Sequence, residues 1–157
     1  MTERYKIPNR ALLEDAYNEG IQKFSVAAGV SRNGKLLLVR RVADDFLGGL
    51  YELPGGGIDE GETLKDALYR EIQEELGLKI RSIFGLFNGF DYEDANGDKT
   101  RQFNIAVEVK SGEIILNKSE HDKSIWVNKE ELEKLPLTSE IRDSATSFFD
   151  LFMSNPV

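Results

Sequence analysis

Apolar residues recur along this chain in two rhythms. Residues 24–30 and 36–39 are short apolar runs separated by Arg32-Asn33-Gly34-Lys35. An Asn-Gly pair between two such runs is a strong hairpin signal, because both residues tolerate positive φ. Residues 80–90 and 103–109 are rich in β-branched and aromatic side chains, and Asn96-Gly97 lies between them as a turn. They read as strands, and residues 51–53, 114–116 and 125–127 as shorter ones. The helical rhythm appears elsewhere. After Pro8-Asn9, residues 10–18 place Ala11, Leu12, Leu13 and Ala16 at helical spacing, and Gly20 is the stop. Residues 64–76 carry the strongest helical pattern, with Thr63 to cap it and Gly77 to end it. Residues 129–135 predict a short helix, and residues 138–153 an amphipathic final one with Ile141, Ala145, Phe148, Phe149 and Phe152 near one face. Two segments fit neither rhythm. Residues 44–49 form a polar, glycine-containing loop, and Pro54-Gly55-Gly56-Gly57 reads as unable to form the interior of a regular element. Mixed strands and helices with no repeat or linker predict one α/β domain on a mixed sheet.

The helix over residues 64–76 has an unusual face. Advancing about 100° per residue from Leu64, Leu68 falls near 40°, Ile72 near 80°, Leu76 near 120° and Ala67 near 300°. Glu71 then falls at about 340° and Glu75 at about 20°, inside that apolar stripe, with Glu74 beside it at about 280°. Carboxylates at this spacing repel one another, and burying them unpaired costs several kcal/mol each. Arg70, one turn before Glu74, supplies part of the compensation. A hard divalent cation with oxygen ligands would supply the rest, and Mg2+ or Mn2+ fits best. The competing reading is a solvated acidic helix end.

Composition narrows the chemistry. The 157 residues suit one ordinary domain, with 40% hydrophobic and 31% charged residues. A net charge of −8 repels a polyanion, which argues against a nucleic-acid polymer as partner, while bound cations can still admit a small anionic substrate. There are no cysteines, so disulfides, thiolate metal sites and cysteine nucleophiles are excluded. The polar start MTERYKIPNR lacks the apolar run of a signal peptide, and no apolar run approaches the ~20 residues that span a bilayer. A cytoplasmic location away from membranes is the expectation.

The glycine loop and the helix belong to one pattern: Gly56-x5-Glu62-x7-Arg70-Glu71-Ile72-Gln73-Glu74-Glu75-Leu76-Gly77-Leu78, preceded by Leu53-Pro54-Gly55. This resembles the Nudix box of the MutT-like hydrolases at every specified position from 56 to 78. The hairpin before it and Glu120-His121 followed by Trp126-Val127 are similar to the family's layout. The resemblance implies an α/β/α sandwich with a central mixed β-sheet, spanning 1–157 with residues 1–20 as an extension. It implies hydrolysis of a nucleoside diphosphate linked to another group. By the same resemblance Glu71, Glu74, Glu75 and the Gly55 carbonyl would hold Mg2+ or Mn2+, Arg70 would position the glutamates, and Glu62, with Gly56 nearby, would support them or pair with Arg70. Glu120 matches a position where many relatives supply a further carboxylate. Glu74 is the first candidate for the general base and Glu120 the second.

Substrate contacts are less defined. Arg40 and Arg41 end a predicted strand and are candidates to meet phosphates, against the alternative of solvated strand ends. Phe46, Tyr51, Phe87, Phe90, Tyr92 and Phe103 include candidates for stacking on a base, although most must fill the core. His121, the only histidine, reads as a loop residue beside Glu120, and residues 91–98 as a solvated loop. No proline occurs between Pro54 and Pro136, so the marker typical of ADP-ribose hydrolases is missing. The NADH-hydrolase pattern is missing too, and Tyr92 falls short of the tyrosine position of dinucleoside polyphosphate hydrolases. A nucleoside triphosphate or related nucleotide is the expected substrate. A non-catalytic nucleotide- or metabolite-binding regulator and a purely structural cation site are the alternatives. The extension and the final helix are each candidates for core packing or for a homodimer interface.

Overall fold

The computed structural model describes residues 5–153; residues 1–4 of the predicted extension and 154–157 of the predicted domain lie outside it. β1 (Lys23–Arg32) and β2 (Lys35–Arg41) form the expected hairpin, and Asn33 and Gly34 take φ of 53° and 77°, as a tight two-residue turn requires. β5 (Ile80–Glu93) and β6 (Lys99–Val109) form a second antiparallel pair, longer than the apolar runs predicted because polar residues extend it on both sides of the turn. β6 lies parallel to β1 at the centre, so the sheet is mixed. The order is β3-β2-β1-β6-β5, with β3 at Tyr51–Glu52 and β7 (His121–Val127) paired to β2.

The glycine segment corrects the expectation of a loop. Gly55–Gly57 forms β4, antiparallel to β1 with Val26 opposite Gly56. β1 and β2 pair only near their hairpin turn, and β4 fills the space where they diverge. The approach is too close for a side chain: a Cβ on Gly55 would stand 2.0 Å from the Val26 carbonyl oxygen. Residues 114–116 do not form the expected strand. Ile114 and Leu116 pack on the core, while the Ile115 N–H bonds the Leu76 carbonyl at 2.8 Å. That bond satisfies a carbonyl at the end of the central helix instead of a sheet ladder.

Two apolar layers follow from the two-residue alternation of the strands. Val26, Ala28, Val30, Leu37 and Val39 face α1 (Asn9–Asn18) and α2 (Leu64–Leu76). Ala27, Leu36, Leu38 and Ala106 face α3 (Ser139–Phe148), which continues through a wider turn over Phe149–Met153. The arrangement is an α/β/α sandwich. α2 begins with a reciprocal cap between Thr63 and Asp66 and ends at Gly77 with φ of 67°. The expected helix over 129–135 is a 3-10 turn at Glu130–Lys134. Among the described residues no helix is long and apolar enough to cross a membrane.

Candidate active site

Arg70 organises the outer half of the site. Its Nε and Nη2 donate to both oxygens of Glu62 at 2.8 Å. Its Nη1 donates to Glu71 at 2.8 Å and Glu74 at 3.2 Å, and Nη2 also reaches the Gly57 carbonyl at 3.0 Å. One guanidinium therefore ties α2 to β4 and to the loop before the helix. Arg70 lowers the Glu62 carboxyl to about 2, helped by the Asp59 N–H. Glu74 stays largely open to solvent.

The inner half is buried, as the helical spacing requires. Glu71 is 8% exposed and Glu75 2%. Burial pushes the Glu71 carboxyl up, against the pull of Arg70. A Cβ on Gly56 would stand 2.5 Å from the Glu71 carboxylate, so a glycine there lets backbone and carboxylate approach. Glu120 meets the same group from the loop before β7. Hydrogen bonding to Glu75, then burial and the charge of Glu75, hold its carboxyl up at about 7.

His121 departs from the loop reading. It opens β7, is 2% exposed, and bridges two acids: Nδ1 lies 3.1 Å from Glu75 and Nε2 2.8 Å from Glu52. Burial alone would lower its pKa, but the bonds to Glu52 and Glu75 outweigh that and raise it to about 9. Glu52 was not singled out by sequence reasoning. Its one signal was its place just before Leu53-Pro54-Gly55, where an acid ends a short strand.

Two adjoining cavities open beside these groups. One, of about 320 Å³, is lined by the glycine strand, Arg41, Glu52 and Gln102. The other, of about 350 Å³, is walled by Phe46, Tyr51, Phe90 and Tyr92 and shares Arg41 and Gln102 with the first. Arg41 is held by Glu52, Asp45 and the Phe46 carbonyl. Phe46 is 45% exposed at the rim. Arg40 lines neither cavity and pairs with Asp122 at 2.8 Å.

The donor set suits a hard cation. Glu71, Glu75 and Glu120 offer only oxygen, and the raised carboxyls of Glu71 and Glu120 mark negative charge that the protein's own cations leave uncompensated. Among the described residues no three such side chains already stand at metal-holding distances. A bound cation would have to draw them inward, which the long glutamate side chains permit.

The chain as a whole is of a known class. Residues 23–148 match the family model described as NUDIX domain, and the chain belongs to that family. It is 34% identical over 113 residues to the CTP pyrophosphohydrolase of Escherichia coli (strain K12), covering 71% of this chain and 80% of that protein. It is 39% identical over 75 residues to the 8-oxo-dGTP diphosphatase of the same organism, covering 46% of this chain and 57% of the relative. The crystal structure of a MutT NUDIX hydrolase from Burkholderia pseudomallei superposes with a TM-score of 0.71 at 29% identity, covering 80% of this chain and 96% of that one.

Proposed function

We propose that this protein is a divalent-metal-dependent Nudix hydrolase that cleaves a phosphoanhydride bond in a nucleoside triphosphate or related nucleotide. The observation that carries the reading is the gathering of Glu71, Glu75 and Glu120, with Glu71 packed against the glycine strand and Arg70 bracing Glu71 and Glu74. Names of relatives such as CTP pyrophosphohydrolase agree with a nucleotide substrate. We take residues 1–157 as one domain of a cytoplasmic protein.

Glu71, Glu74, Glu75 and the carbonyl of Gly55 would hold Mg2+ or Mn2+, with Glu120 as a further ligand or base. When bound, the cation neutralises charge on the phosphates and makes an attacking water more acidic. The chain's own groups do the rest. Glu120, beside Glu75 at the mouth of β7, accepts the water's proton as the water's oxygen bonds to phosphorus and the bridging P–O bond breaks, its electrons leaving with the departing phosphate. Glu74, the first candidate from the sequence, moves to second because it lies largely open to solvent with one oxygen already engaged by Arg70. Arg41 faces the phosphates from the wall common to both cavities, and Phe46 with its aromatic neighbours receives the base.

The test is incubation with Mg2+ or Mn2+ and a panel of nucleotides, measuring phosphate and pyrophosphate release. Turnover that a chelator abolishes supports the reading. Binding of nucleotides without turnover across the panel would instead make the protein a regulator.

A further inference from the structure

On the α3 face of the sheet, three neutral polar side chains close on one another. Ser144 is fully buried, and its hydroxyl donates to the Glu140 carbonyl at 2.8 Å. With its hydrogen spent, that oxygen can only accept. It does so from Asn88 Nδ2 at 3.0 Å and Asn104 Nδ2 at 3.1 Å. Asn104 Nδ2 also donates to Asn88 Oδ1 at 2.7 Å, which uses both its hydrogens. Asn104 therefore turns its amide oxygen toward Gln102, whose Nε2 donates to it at 2.8 Å. Each direction follows from one backbone carbonyl that cannot donate.

Gln102 occupies the wall common to the two cavities. Phe90 lies directly across from it in the β5–β6 ladder, and the Phe90 and Tyr92 rings stand 5.9 Å apart. A base stacked on these rings would lie edge-on to Gln102. With one Nε2 hydrogen committed to Asn104, the amide cannot turn over, so that edge meets an accepting oxygen in a fixed place with the second Nε2 hydrogen beside it. Flipping Gln102 would set its oxygen against the Asn104 oxygen. Flipping Asn104 would break its bonds to both Asn88 and Ser144. The ring thus fixes which end of Gln102 is offered.

We infer that Gln102 is a specificity residue that selects nucleobases bearing an exocyclic amino group over counterparts with a keto oxygen at the same position: cytosine over uracil, adenine over hypoxanthine. The inference rests on the hydrolase reading above. Ser144 and Asn104 are positioning residues that act through Gln102.

The experiment compares kcat/KM for CTP against UTP and for ATP against ITP, in the native protein and in Gln102→Leu and Ser144→Ala. The native protein is expected to favour the amino member of at least one pair by about tenfold or more, as a site built to accept a hydrogen bond does. Gln102→Leu should bring that ratio close to one. Ser144→Ala leaves Gln102 in place but releases both Asn88 and Asn104, which can then turn over together, so the ratio should fall there too, independently of any change in absolute rate. Ratios near one in the native protein, or a ratio unchanged in Gln102→Leu, would overturn the inference. Absence of turnover with every nucleotide would sink the hydrolase reading instead. Calorimetric affinities for the same pairs and variants would then decide the role of Gln102 by the same ratios.

Discussion

The two faces of the sheet each bury a polar cluster, and they differ in what completes it. On the α3 face, Asn88, Asn104 and Ser144 are neutral and are satisfied by one another, the Glu140 carbonyl and Gln102, so no ion is needed. On the α2 face, Glu71, Glu75 and Glu120 crowd their charge, and His121 and Arg70 answer only part of it. A closed neutral network makes a rigid wall. An acidic cluster short of positive charge makes a place for a cation and for chemistry.

The largest effect should come from the acidic side. Glu120→Gln is expected to lower kcat by about 10²–10⁴ and to remove the acid limb of the pH–rate profile. A variant with native kcat would show that Glu120 is not the base and turn attention to Glu74→Gln. The two glycines separate site from scaffold. At Gly55 an added methyl meets the Val26 backbone, and at Gly56 it meets the Glu71 side chain. Gly55→Ala should therefore cost about 1–3 kcal/mol or more of stability in urea unfolding. Gly56→Ala should lower activity more than stability, because a carboxylate can swing aside but is then misplaced. Equal stability losses in both would erase this distinction.

Stability of the metal-free protein should fall as pH rises. The folded pKa of Glu120, about 7, lies above its ordinary 4.5, and that of His121, about 9, above its ordinary 6.5. In both cases the folded state holds the proton more tightly. The stabilisation is complete below the ordinary value and is lost as pH climbs through the folded one. Melting temperature is thus expected to decline between about pH 4.5 and 9, with Mg2+ or Mn2+ offsetting the decline most at the alkaline end, where ligands are deprotonated. A flat profile, or one that His121→Gln leaves unchanged, would contradict the bridging role of His121. The smallest effect serves as a control outside both clusters: Thr63→Ala should cost about 1 kcal/mol through the lost cap, with the nucleotide ratios unmoved.

How much of this was legible in the chain depended on range. The placement of Glu71 and Glu75 on the buried face followed from helical spacing alone, and the Asn33-Gly34 hairpin from local turn chemistry. β4 escaped notice because glycines carry no alternation, and its pairing depends on β1 rather than on its own side chains. His121 was misplaced because its partners lie 46 and 69 positions away and no local pattern announces them. The neutral ring was invisible for the same reason, with Asn88 and Ser144 56 positions apart. It also depends on a register shift between Leu86 and Asn88, which brings Phe87 and Asn88 both to the α3 side.

The guanidinium of Arg70 spends all five of its N–H groups: one on Nε, two on Nη1 and two on Nη2, shared among Glu62, Glu71, Glu74 and Gly57. No single partner can be changed without leaving a donor idle or shifting the others. The free energies of substitutions at these positions will therefore not add. A double-mutant cycle between Glu62 and Glu74, which share no bond with each other, would carry a coupling transmitted through Arg70 on top of their direct repulsion. Lysine, with three donors and no planar fork, leaves that coupling without a carrier.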